Sequence, residues 1–115
     1  MGTLQVDVTQ DNGASIVRLR GDGGAGRAAT LDAAVTRVCA ARPRLVVLDL
    51  TELAYIASLC MGSLVALRRA IASHGGTVRI AGANGDVALA LRRAKLDAIM
   101  PMHESVVECV SAAQT

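Results

Sequence analysis

Leu4, Val6 and Val8 alternate with Gln5, Asp7 and Thr9, the period of two that sets one face of a strand against a core and the other in water. Asp11-Asn12-Gly13 reads as a turn, and a second strand follows over Ser15 to Leu19. The Asn-Gly step makes these two strands an antiparallel hairpin. From Arg27 to Ala41 the apolar positions Leu31, Val35 and Val38 fall four and three apart, which predicts a helix that stops before Pro43. Leu45 to Leu50 is an almost unbroken apolar run of strand length, the pattern of a strand covered on both faces.

The spacing of Met61, Leu64, Leu67 and Ile71 predicts a second helix over Leu59 to His74, ended by Gly75-Gly76 as a C-terminal cap. Thr77 to Ala81 reads as a strand with Val78 and Ile80 inward, and Val87 and Leu91 mark a shorter helix after the turn region Gly82 to Gly85. A short edge strand over Ile99 to Met102 and a last helix over Glu104 to Ala113 complete the order β-β-α-β-α-β-α-β-α. Strands separated by helices need crossovers, so the expected fold is α/β: a mixed, mostly parallel sheet that opens with an antiparallel hairpin and is covered by about four helices. At 115 residues, positions 1–115 suit one domain of this kind, without internal repeats.

Composition sharpens this picture. Apolar residues make up 52% of the chain, yet there is one Tyr, no Phe and no Trp, so the core is expected to be aliphatic. The net charge of +2 comes from 12 basic and 10 acidic residues scattered along the chain. Without a basic block or stacking aromatics, direct nucleic-acid binding is not expected. Asp49, Arg68 and Arg92 interrupt the apolar runs before any reaches membrane-spanning length, and the first residues show neither a signal peptide nor a myristoylation pattern, so a cytoplasmic location is expected.

Candidate chemistry is sparse. Cys39, Cys60 and Cys109 are widely spaced, with no Cys-x-x-Cys pair and no neighbouring His, so reduced thiols and no metal are expected. His74 and His103 have no partners in triad spacing and read as surface residues; no catalytic constellation emerges. Cys60 falls in the first turn of the second helix, where the helix dipole would lower its pKa and make it a redox sensor; the plain alternative is a small buried side chain. Gly21-Asp22-Gly23-Gly24-Ala25-Gly26 satisfies G-x-G-x-x-G between a strand and a helix, with Asp49 at the end of the next strand, a dinucleotide-binding context. A flexible Gly-rich loop is the alternative, and with it no cofactor is expected.

The run Leu45-Val46-Val47-Leu48-Asp49-Leu50, then Tyr55-Ile56-Ala57-Ser58-Leu59-Cys60-Met61-Gly62, together with the element order, Gly75-Gly76 and Leu96-Asp97, resembles the STAS family in its anti-sigma-factor antagonist form. In that family an apolar strand ends in Asp-Leu, and a short loop leads to Asp-Ser-(Ser/Thr)-Gly-Leu-Gly at the start of a helix. Ser58 and Gly62 match; Ala57, Leu59 and Cys60 replace the leading Asp, the second hydroxyl residue and the first Gly.

The resemblance implies a partner switch, in which the unmodified antagonist binds an anti-sigma factor that is a serine kinase, frees a sigma factor, and is released when Ser58 is phosphorylated. It also implies the docking surface: Ala57, Ser58, Leu59, Cys60, Gly62, Ser63, Ala66 and Arg69. The helix positions opposite the buried stripe, Gly62, Ser63, Ala66, Arg69 and Ala70, are read as its exposed face. Two carboxylates that flank the acceptor in the family are replaced here by Ala57 and by the Gly21-to-Gly24 step, which leaves Asp22 and Asp49 as the acidic neighbours that could stand in. Without phosphorylation Ser58 would still serve as the helix N-cap. STAS domains also serve as accessory subunits of transporters and in stress-signalling assemblies, a second role for the same surface. Both a monomer and a homodimer are compatible with the sequence.

Overall fold

The computed structural model describes residues 2–11 and 13–113. β1 (Leu4–Asp11) and β2 (Ala14–Gly23) form the expected antiparallel hairpin, with Leu4 opposite Gly21 and Asp11 opposite Ala14. Asn12 lies outside the described residues, and Gly13 takes a positive φ of 82°, which a glycine adopts without a Cβ penalty. α1 (Ala28–Ala40) follows a short 3-10 turn at Ala25–Arg27, and β3 (Leu45–Asp49) lies parallel to β2.

A strand that the hydrophobic pattern does not predict comes next. β4 (Leu53–Ile56) pairs in parallel with the far end of β2, through Gly21, Asp22 and Gly23. β2 is therefore twice the expected length, and the Gly-rich segment expected to be a loop is the end of a strand followed by a 3-10 turn. Glycine is required at Gly23, where a Cβ would stand 2.7 Å from the Tyr55 carbonyl oxygen across this pairing.

α2 (Ser58–Ala72), β5 (Thr77–Ala81), α3 (Gly85–Arg93), β6 (Met102–His103) and α4 (Val106–Ala113) complete the chain. β6 is shorter and later than the Ile99-to-Met102 expectation, because a 3-10 turn at Leu96–Ala98 continues the descent from α3. The sheet order is β1-β2-β3-β5-β6, with every pairing but the first hairpin parallel.

The pleat sorts the sheet residues onto two faces. Val17, Leu19, Val46, Leu48, Val78 and Ile80 face α1, α2 and α3 in an aliphatic core. Ala14, Ile16, Val47 and Ala81 face the other way, toward Cys109 of α4. Of the α2 residues, Leu64 and Ile71 are completely buried and Leu67 almost so, and each such side chain contributes about 1.5 to 3 kcal/mol by leaving water. This packing fixes α2 on the sheet and thereby fixes what its other face presents.

Candidate docking site

β4 delivers the chain to α2 under tight main-chain control. The Ala57 N–H donates to the Gly23 carbonyl oxygen at 2.8 Å, and Ala57 holds an extended φ/ψ of −86°/158° as the N-cap residue. Ser58 is thus the first residue inside the helix and not its cap, and no side chain caps this end. The N-cap role expected of Ser58 falls one residue earlier, to Ala57, because the β2–β4 pairing carries the extended backbone through that residue. With the cap role removed, the exposed Ser58 hydroxyl stands at the positive end of a 15-residue helix.

Around it the surface is apolar. Tyr55 is 53% exposed and Leu59 61% exposed, while Ala57 is half-buried. Gly62, Ala66 and Arg69 continue the exposed stripe at spacings of four, four and three from Ser58, on one side of the helix. A Cβ on Gly62 would meet nothing within 4 Å, so this face is open at its centre.

Two residues expected on that surface are turned inward. Ser63 is buried, and its hydroxyl donates a 2.5 Å hydrogen bond to Asp32 Oδ1 of α1. Its position among Cys60, Leu64 and Leu67 puts it on the packed side of α2, where a hydroxyl needs a partner. Cys60 is completely buried, with its thiol 3.4 Å from the Gly24 carbonyl oxygen. Burial, then the negative charges of Asp32 and Asp22, push this thiol's pKa up, the reverse of the lowering expected from the helix dipole. The buried small side chain is the arrangement the structure has.

The acidic neighbours also separate. Asp22 closes the bend after β2 by accepting the Gly24 N–H at 2.8 Å, and its charge reaches Cys60, so it lies by the first turn of α2. Asp49 is on the opposite face of the sheet: it shares the pleat parity of Val47, and its charge acts on Cys109 of α4. There it accepts hydrogen bonds from the Thr51 hydroxyl (2.6 Å), the Thr51 N–H (3.1 Å) and Arg18 Nε (3.1 Å). Burial raises its pKa, but these hydrogen bonds and the Arg18 charge outweigh that and hold the carboxyl below its usual value. Asp32, unmarked in the sequence, is the second carboxylate near α2; a Ser within a buried helical stripe is the signal that could have pointed to it.

The glycines of Gly21 to Gly26 offer little to a pyrophosphate. The Gly21 N–H donates to Glu52 O, Asp22 N–H to Thr3 O, Gly24 N–H to the Asp22 side chain and Arg27 N–H to Gly24 O. Asp49, which would hold the ribose, is engaged by Arg18 and Thr51. Among the described residues no group of three or more His, Cys, Asp or Glu could hold a metal ion, and no helix is long and apolar enough to cross a membrane. His74 and His103 are half-buried and bonded: His74 Nε2 is 2.9 Å from Pro43 O, and His103 Nε2 is 3.0 Å from the Arg79 guanidinium.

Among the described residues, a mixed sheet with three helices on one face and one on the other, and an open serine at the start of α2, defines a small mixed α/β domain. The chain belongs to the STAS domain family, whose profile matches residues 5–109. It is similar to the crystal structure of an anti-sigma factor antagonist from Mycobacterium paratuberculosis, at 21% identity over 98% of this chain and 96% of that one, with a TM-score of 0.89. It also resembles the Bacillus cell fate determinant SpoIIAA in its phosphorylated form (12% identity, 96% and 99% covered, TM-score 0.71). A sulfate transporter family protein from Wolinella succinogenes shares the fold too (16% identity, 92% and 88% covered, TM-score 0.76). No curated protein matches the chain.

Proposed function

We propose that the chain is an anti-sigma-factor antagonist that acts in the cytoplasm by docking and not by catalysis. Its unmodified form binds an anti-sigma factor with serine-kinase activity through Ser58 and the exposed stripe of α2, and frees a sigma factor. The observation that carries this reading is the open Ser58 hydroxyl, flanked by exposed Tyr55 and Leu59 at the start of a helix whose outward face is Gly62, Ala66 and Arg69. Small side chains permit close approach of a partner, and exposed apolar ones reward it.

A phosphate on Ser58 would add about −1.5 to −2 charges at the start of this surface and disrupt an apolar or acidic contact. Incubation with the cognate anti-sigma kinase and ATP, followed by mass spectrometry, tests the step. A phosphate on Ser58 is expected; an unmodified Ser58 overturns the switch.

A second reading is favoured by Ala57, which carries no carboxylate to orient a phosphoacceptor: an accessory subunit of a transporter or stress-signalling assembly that uses the same stripe without the acceptor chemistry. A pull-down from the native cell separates the two, since recovery of an ATP-binding transporter subunit in place of an anti-sigma kinase favours the second.

A further inference from the structure

β1 is an edge strand: among the described residues only β2 pairs with it. It runs for eight residues without Pro or Lys, two of the devices that usually blunt such an edge, and its charges are Asp7 and Asp11. Its free main-chain groups can be assigned. Asp22 N–H donates to Thr3 O at 2.9 Å in the register that sets Leu4 opposite Gly21, so Thr3 and the odd-numbered residues after it turn their N–H and C=O toward β2. Leu4, Val6, Val8 and Gln10 then turn theirs outward, to the open edge.

Val6, Val8 and Gln10 also line a groove of about 270 Å³ between β1 and the C-terminal half of α1, closed on the far side by Arg37, Val38 and Ala41. The residues that offer unpaired main-chain groups are therefore the ones whose side chains floor a cavity. An added strand would exchange two main-chain hydrogen bonds opposite each of Val6 and Val8, and the same residues of that strand would drop their side chains into the groove. Arg37 has no ion pair among the described residues, whereas Asp7 at the rim is held by Arg20 at 2.7 Å.

We infer that the β1 edge and the β1–α1 groove together form a peptide-docking site, which takes an extended segment of a partner protein with aliphatic and acidic side chains on alternate positions. The aliphatic side chains meet Val6, Val8, Val38 and Ala41, and the carboxylate meets Arg37. The intervening residues stand over the other face of β1, beside Asp7 and Thr9, and are polar and uncharged. A second copy of the chain is disfavoured as occupant, because the alternate positions that its β1 would set in the groove, Leu4, Val6, Val8 and Gln10, carry no carboxylate for Arg37. The site is separate from the Ser58 surface and does not depend on its function.

The probe is a capped peptide, Thr-Val-Thr-Glu-Thr-Val-Thr, titrated into the isotope-labelled protein and followed by amide NMR. Saturable shifts centred on Leu4, Val6, Val8 and Gln10 are expected. N-methylation of the Val and Glu amides should abolish them, and N-methylation of the Thr amides, which point away from β1, should not. Val8→Pro should keep the domain folded, since the lost N–H faces the open edge, and should remove binding. Arg37→Glu should weaken this peptide about fivefold and favour its Glu-to-Lys analogue. The inference is overturned by any of three results: no shifts at millimolar peptide, shifts indifferent to which amides are methylated, or the same amides shifting with protein concentration alone, which would assign the edge to a second copy.

Discussion

The Ser63 hydroxyl and Asp32 Oδ1 meet at 2.5 Å across the α1–α2 contact, tying the helix that carries Ser58 to its neighbour. Ser63 is buried and Asp32 is exposed, so removing the hydroxyl leaves a carboxylate that water can solvate. Ser63→Ala is expected to cost about 1.5 to 2 kcal/mol, the low end of the range of about 1.5 to 3 kcal/mol for a hydrogen bond to a charged group, because Asp32 is exposed. A double-mutant cycle with Asp32→Ala, read by urea denaturation, should give a coupling of about 1 kcal/mol; zero coupling would remove the tie.

Asp49 should make stability depend on acid. Its folded pKa lies below the ordinary value, so the unfolded chain binds the proton more readily, and the carboxylate's contribution is complete above about pH 5. It is lost as pH falls through the depressed folded pKa. Arg18 is half exposed, with 49% of its side chain open, so its charge contributes little and the Thr51 hydrogen bonds to a buried carboxylate supply most of the effect. Asp49→Ala is expected to cost about 1 to 3 kcal/mol at neutral pH, and denaturation curves of the two proteins should converge between about pH 5 and pH 2. A gap that stays constant with pH would contradict this assignment.

The three thiols should be sluggish. Burial raises the pKa of Cys39; burial with nearby carboxylates raises that of Cys60; and Cys109, where burial outweighs the opposing charge of Arg79, is pushed up to about 11. Timed alkylation of the native protein at pH 7.5 should modify the half-buried Cys39 first, with Cys60 and Cys109 reacting only as the chain unfolds. Fast labelling of Cys60 in the folded domain would restore the redox reading.

Two glycines should respond in opposite directions. Gly23→Ala sets a Cβ against the Tyr55 carbonyl, a main-chain atom that cannot swing away, and is expected to destabilise by about 1 to 3 kcal/mol. Gly62→Ala meets only solvent within an exposed helical turn and is expected to stabilise by up to about 1 kcal/mol. Melting temperatures of the two variants check both signs.

The hairpin, α1, β3, α2 and β5 were legible because each carries its period within its own residues, as Leu31, Val35 and Val38 do for α1. β4 was not: in Leu53–Ile56 only the end residues are buried, and its strand character comes from pairing with β2, some thirty residues earlier. The same pairing draws Gly21, Asp22 and Gly23 into a strand that composition alone reads as a loop. Faces were harder still. Leu45 to Leu50 is apolar but for Asp49, without the alternation that would assign faces, so nothing in it says that Asp49 points to the α4 side while Leu48 points to the core under α1, α2 and α3. Of the residues read from the sequence as a docking surface, Ser58, Gly62, Ala66 and Arg69 are exposed and Ala70 is half-buried, whereas Ser63 and Cys60 fall on the packed side, bonded to Asp32 of α1 and to the Gly24 carbonyl.

The docking role of the Ser58 surface is tested most directly by calorimetric titration of the cognate anti-sigma kinase with the wild-type chain, Ser58→Asp and Gly62→Arg, each first shown to melt as the wild type does. Both substitutions lie on the exposed face of α2, and each is expected to weaken binding at least about tenfold, an interface loss of roughly 1.4 kcal/mol or more. Wild-type affinity in both variants would contradict the assignment of this surface.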